Sequence, residues 1–222
     1  MKLLIQTTML KSKLIIFFLL LIIANVVWSQ NIRLTGTDIC SDGTLTTEIR
    51  LSDADPDAFY ALFCDEQRLS LRQISSGIKP NPINFGEFSQ PGVYTVVQYP
   101  NNSNDMNNPN KGTLISGKVH IKPVPKIFIP NEPMQVKSGE TFIYRPKADM
   151  SDATFTWTAS VAEGNLKKFE TNGNGNIALN FEIIGEKSAK VIFSITPVAP
   201  DFKGGCMGTT HDLTLWVLPV VN

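Results

Sequence analysis

The chain has 222 residues, with 20 Lys and Arg balanced by 20 Asp and Glu, and 42% of its residues are hydrophobic. That apolar content excludes an extended disordered tail, which lacks the surface to offset chain entropy. The charge balance excludes the basic footprint that a nucleic-acid or anionic-membrane partner requires.

The first 29 residues read as a secretory signal peptide. Lys2, Lys11 and Lys13 are their only charges, residues 14–24 form an unbroken apolar run, and Val27, Trp28 and Ser29 precede an expected first mature residue, Gln30. This is the order of charged, apolar and small-residue regions in such a segment. The run is shorter than the roughly 20 apolar residues of a spanning helix and is interrupted at Asn25. Cleavage is therefore expected to leave no stable membrane span. No Cys lies near the cleavage point, so lipid modification there is not expected. Removing these residues takes three bases and no acids, and leaves 193 residues with 17 bases against 20 acids. The expected location is across the inner membrane, in the periplasm, at the cell surface or outside.

Beyond Gln30, short alternating segments recur between Gly, Pro, Asn and Asp clusters, the signature of an all-β sandwich. Strands are expected at residues 32–34, 44–51, 59–64, 69–74, 83–88, 93–99 and 113–121. In the segment 44–51, Leu45, Thr47, Ile49 and Leu51 share one face. Residues 122–133 carry four prolines. Proline cannot donate to a sheet ladder, so this stretch reads as a boundary or an edge crossing. A second set of strands follows at 141–145, 154–160, 176–184, 190–198 and 212–218. The organisation expected is a signal peptide at 1–29, a first β-sandwich at 30–122, a Pro-rich linker at 123–133 and a second β-sandwich at 134–222. Each sandwich ends strand, long polar loop, strand. The loops are the Asn-rich segment 100–112 and the Gly-rich segment 199–211.

Several of these segments resemble known modules. In the first sandwich, "FYALFCDEQ", "INFGEF", "QPGVYTVVQY" and "GTLISGKVHI" look like the Ig-like repeats of secreted and cell-surface proteins of the Bacteroidetes. In the second, "SGETFIYRP", "TFTWTAS", "VIFSITPVAP" and "GGCMGTTHDLTLWVLP" are similar to the PKD-like domain of the same proteins. Phe193 takes the aromatic position of the family's Ile-Thr-Pro strand, and Ile195, Thr196 and Pro197 keep the rest. The resemblance covers nearly all of residues 31–219. It implies consecutive Ig-like and PKD-like sandwiches and a non-catalytic, extracytoplasmic role in adhesion, gliding or type IX-secretion-associated proteins, with no catalytic residues to carry over. Such modules usually stand in long arrays that end in a sorting domain, and here the sequence stops at Asn222.

The cysteines are Cys40, Cys64 and Cys206. In an oxidising compartment Cys40 and Cys64 are the expected pair. They would close a loop of about 25 residues, worth about 3.5 kcal/mol in the chain-entropy model. Cys206 then remains a lone thiol or pairs with another chain. The immunoglobulin bridge cannot form, because Val96 occupies its position on the strand that carries Tyr94. That tyrosine is expected to make a corner hydrogen bond.

Asp53, Asp55 and Asp57 alternate as the first calcium ligands of a helix–loop–helix site do, and are the metal candidates. Ala58 stands where that loop needs Gly, and Cys64 where it needs Glu. The alternative is a solvated turn. His120 and His211 lack partners at zinc spacing, and no nucleophile or phosphate-loop motif is present. No catalysis and no cofactor are expected.

The binding candidates are Asn101, Asn102 and Asn104 in the Asn-rich loop, the loop 203–210, and Trp216. In "TFTWTAS", Phe155 and Trp157 share one face and the threonines the other, so Trp157 reads as core. Trp216 lies opposite Leu213, Leu215 and Val217. The function expected is binding, adhesion or spacing toward a protein or glycan at the cell envelope. A carbohydrate-binding module centred on Trp216 and a truncated relic of a longer array are the alternatives.

Overall fold

A computed structural model describes residues 32–74 and 80–220, and the expected signal peptide lies outside them. In chain order the strands are β1 (Leu34–Thr35), β2 (Ile39–Ser41), β3 (Thr47–Leu51), β4 (Ala58–Cys64), β5 (Gln67–Gln73), β6 (Ile83–Phe88), β7 (Gly92–Pro100), β8 (Thr113–Leu114) and β9 (Val119–Pro123). They continue with β10 (Ile127–Phe128), β11 (Met134–Lys137), β12 (Thr141–Tyr144), β13 (Lys147–Ala148), β14 (Thr154–Glu163), β15 (Asn172–Asn174), β16 (Ile177–Asn180), β17 (Ala189–Val198) and β18 (His211–Leu218). Short 3-10 turns at Pro109–Lys111 and Asp201–Lys203 are the only helical elements among the described residues. The protein is all-β, as expected.

The described residues divide into two compact units. One takes residues 32–35, 49–74, 80–86 and 95–118, and the other takes residues 36–48, 87–94 and 119–220. In the first unit, β4 pairs antiparallel with β5, and the register shifts between Leu62 and Phe63. Both faces of β4 are covered, and Tyr60, Ala61, Leu62 and Phe63 are all fully buried. One side of this strand packs Ala61 and Phe63 against Val97 and Tyr99.

The second unit contains a sandwich whose layers follow from strand alternation. Its larger sheet has the order β11-β18-β17-β14-β15, facing the pair β12-β16 and the pair β10-β13. Along β17 every second residue from Ala189 to Pro197 is buried, and those between are partly exposed. The buried set of β14, β17 and β18 meets Phe142, Tyr144, Ile177 and Leu179 of β12 and β16 in one core. Phe193 lies at its centre. Its ring centroid is 5.7 Å from that of Phe142, 5.9 Å from Trp157 and 6.3 Å from Phe181.

Trp157 is 5% exposed, so the reading of "TFTWTAS" as core-facing holds. Its ring needs a glycine opposite. A Cβ built on Gly173 of β15 would lie 2.4 Å from Trp157 Cζ2. Gly173→Ala is thus expected to overpack this edge and cost about 1–3 kcal/mol, read as a lower urea midpoint at unchanged slope.

Three expectations about strands change. The strand expected at 44–51 begins only at Thr47, and Leu45 is 55% exposed instead of sharing the buried face. The strand expected at 113–121 is two strands, because Gly117 between them adopts φ +92°. The proline-rich stretch carries β10, which pairs Ile127 with Ala148 and Phe128 with Lys147.

The expected Cys40–Cys64 bridge is also corrected. Cys40 is bonded to Cys206, with a Cα–Cα distance of 5.8 Å. Cys64 takes no part and is buried at the end of β4. The physical reason is placement. Cys40 lies on β2, which runs parallel to β9 in the second unit, where Cys206 also lies, whereas Cys64 belongs to the first. A short closed loop is an entropic argument, and it does not bring Cα atoms within bridging range.

Candidate binding surface

The Asn-rich loop is held by its own backbone and neighbours. Asn101 accepts a 2.9 Å hydrogen bond from Gln73 Nε2 through its side-chain oxygen. Asn108 caps the following 3-10 turn by accepting from the Asn110 N–H. Its carbonyl accepts from the Tyr99 hydroxyl at 2.8 Å. Burial first, and then the charge of Asp105, raise the Tyr99 pKa and keep that hydroxyl a donor. Met106 packs on the Ala61, Phe63, Val97 and Tyr99 cluster. Asn102 and Asn104 remain exposed at the tip. Of the three candidate asparagines, one is engaged in the fold and two face solvent.

The acidic triplet is not brought together as a metal site. Asp53 is 2% exposed and accepts from the N–H groups of Ala54 and Asn81 at 2.8 and 2.7 Å. The Asp55 N–H donates to the Tyr60 hydroxyl. Among the described residues no group of three or more acids, histidines or cysteines is placed to hold a metal ion. The run forms a turn in which Asp53 satisfies buried backbone donors.

Tyr94 donates to the Gln90 carbonyl at 2.8 Å, the corner bond expected of it. No helix among the described residues is long and apolar enough to cross a membrane.

The Gly-rich loop between β17 and β18 is tightly closed. Lys203 N–H and Gly205 N–H donate to the Pro200 carbonyl, and Gly204 N–H to Asp201. Ala199 N–H donates to Cys206 and Gly208 N–H to Pro197, each at 2.8 Å. Gly204 and Gly205 adopt φ +102° and +64°, which the reversal requires. Cys206 is 2% exposed and anchors the loop through its bridge to Cys40. Lys203 bonds Asp152 at 2.9 Å, and this bond chiefly lowers the Asp152 pKa. Two large apolar side chains project from this closed loop, Phe202 at 79% exposure and Met207 at 64%. The loop 203–210 named from the sequence holds Met207 but not Phe202, because a loop has no alternation that shows which residue faces outward.

Trp216 lies on the outer face of the larger sheet, partly exposed. It stands opposite Lys190 on β17 and Gln135 on β11. Lys190 Nζ is 5.7 Å from its ring centroid and 3.7 Å from Glu163 Oε1. Further along, the same face is paved with small polar groups. Register sets Asn172, Thr158, Ser194 and Asp212 in one row across four strands. Asn174, Thr156 and Thr196 form the next, and the Thr196 hydroxyl is 2.6 Å from that of Thr210. Ser194 donates to Asp212 at 2.7 Å.

No protein-family model matches the chain, and no curated protein matches it. Solved structures do. The chain is similar to the titin domains I67–I69, a three-immunoglobulin structure, at 11% identity and a TM-score of 0.46 over 85% of this chain. It spans 64% of that titin chain, under two thirds of its length. It is also similar to a structure of Dpr2 Ig1–Ig2 in complex with DIP-Theta Ig1–Ig3, at 13% identity and a TM-score of 0.45, covering 85% of this chain and 67% of that one. A third is a structure of Clostridium thermocellum CbhA fibronectin(III)-like modules, at 12% identity and a TM-score of 0.29, covering 84% and 94%.

Proposed function

We propose that the chain is a secreted, non-catalytic binding module of the cell envelope, with its contact surface on the closed loop between β17 and β18. The observation that carries this is the exposure of Phe202 and Met207 on a loop fixed by five backbone hydrogen bonds and a disulfide. Large apolar side chains offer contact area to a partner, and a loop held rigid before contact loses little entropy on binding. Rigid sandwiches carry function on such loops. The reading takes residues 1–29 as a cleaved signal peptide, 30–122 and 134–222 as an Ig-like and a PKD-like module, and 123–133 as their linker. The resemblance of the sequence segments supports that division and an adhesive or spacing role at the periplasmic or outer face.

The test is attachment. Purified chain 30–222 is expected to co-sediment with envelopes of the source cells. Phe202→Ser with Met207→Ser is expected to weaken attachment at least tenfold while the thermal midpoint stays within about 2 °C, because exposed substitutions cost within about 0.5 kcal/mol. Unchanged attachment of the double variant would remove the contact surface from this loop.

A further inference from the structure

We propose that the outer face of the larger sheet, over the hydroxyl and amide rows of β14, β15, β17 and β18, binds a neutral polysaccharide chain running across the strands. The inference rests on the reading of the chain as a non-catalytic binding module, and gives it a second site, separate from the loop of Phe202.

The first observation is the chemistry of the rows. Thr156, Thr158, Ser194 and Thr196 offer hydroxyls that both donate and accept, and Asn172 and Asn174 offer amides that do the same. Asp212 is the only charged side chain in these two rows, and it already accepts from Ser194. Lys190, two rows further along, is matched by Glu163. The face therefore carries no field to hold a polyanion. The two rows also lack the aromatic and Arg anchors on which protein interfaces concentrate their energy. A neutral polyhydroxylated chain is the occupant whose donors and acceptors suit these rows.

The second observation is spacing. Neighbouring strands lie about 4.8 Å apart, and rows two residues apart along a strand are separated by about 7 Å. A chain laid across the strands meets one polar side chain per strand, at an interval close to one sugar ring. The two rows then serve its two edges. Trp216 lies on the same face four residues further along, past the row of Ser160, Ile192 and Thr214, with Lys190 over its ring.

The third is freedom of the face. Thr154, Thr156, Thr158, Asn172 and Asn174 are all exposed, while their alternates Phe155 and Trp157 fill the core. The Thr156 and Thr158 hydroxyls are thus available without disturbing the packing beneath, while Ser194 is bonded to Asp212 and Thr196 to Thr210.

Affinity electrophoresis through gels holding a soluble neutral polymer (β-glucan, xylan, mannan or galactomannan in turn), with dextran sulfate as the anionic control, tests the proposal. The parent is expected to be retarded by at least one neutral polymer and not by dextran sulfate. Thr156→Val with Thr158→Val removes two hydroxyls and keeps the branched side chains that strands favour. This double variant is expected to lose at least tenfold in affinity with an unchanged thermal midpoint. The Phe202→Ser, Met207→Ser variant should bind the polymer as the parent does. No retardation by any neutral polymer, stronger retardation by dextran sulfate, or parental affinity in the threonine double variant would overturn the site. Envelope attachment that still depends on Phe202 in that event leaves the broader binding reading standing, so the two fail separately.

Discussion

Replacing both Cys40 and Cys206 with serine is expected to lower the stability of the chain by about 5 kcal/mol in the chain-entropy model. The bridge spans 166 positions of sequence, and the entropy it removes from the unfolded chain grows with the logarithm of that span. The expected Cys40–Cys64 loop of about 25 residues would have given about 3.5 kcal/mol, so the correction raises the stake. The bridge also fixes a loop. Cys206 sits directly before Met207, and its carbonyl receives the Ala199 N–H. Losing the bridge therefore loosens the surface that presents Phe202 and Met207, and envelope attachment should fall with stability. Urea titration of the chain with and without reductant gives the first quantity, provided the slope stays constant. Thiol titration of the unfolded, unreduced chain gives an independent check. It should find a single thiol, that of Cys64, and three thiols would mean that the bridge is absent.

What the sequence revealed was what alternation encodes. Residues 154–160 and 212–218 have period two, one of their faces is buried, and both strands were legible with their inward residues correctly sided. Residues 83–88 were read to the residue as β6. Alternation says nothing about length where a turn intrudes. Leu45 continues the pattern of β3 by sequence, but the strand starts after it, where Ser41 bonds back to the Leu45 carbonyl. Elements of two or three residues, such as β2, β13 and β15, are too short to show a period. Pairing of distant groups was the other blind spot. Cys40 meets Cys206 because β2 runs beside β9, and no local pattern records that parallel contact.

The candidate site divides in the same way. Alternation put Trp216 on the face away from Leu213, Leu215 and Val217 but did not say whether that face was covered, and the structure leaves it partly exposed. Its partners Lys190 and Gln135 came only with the register. The Thr, Ser and Asn rows likewise exist only across strands. Asp53 illustrates the converse error. Its spacing suggested a metal ligand, whereas its carboxylate is engaged by two backbone N–H groups that would otherwise lie buried.

Phe193→Ala is expected to cost about 3–5 kcal/mol, the range for removing a large ring from a packed core. The side chain is fully buried and touches the rings of Phe142, Trp157 and Phe181, which come from three different strands or their extensions. Removing it deletes apolar contact and leaves a cavity that those rings, held in separate layers, cannot fill together. Each aromatic pair adds about 0.5–1.5 kcal/mol beyond the buried area, which places this site toward the upper end of the range. The neighbour on the same strand provides the contrast. Ser194 points outward and bonds Asp212, so Ser194→Ala should cost about 0.5 kcal/mol. The difference between adjacent positions tests the register itself, since a slip by one residue would exchange their faces. Urea midpoints of the two variants at equal slope supply the measurement. Equal losses would show that β17 does not bury the face carrying Phe193, and the core described for this unit would fall with it.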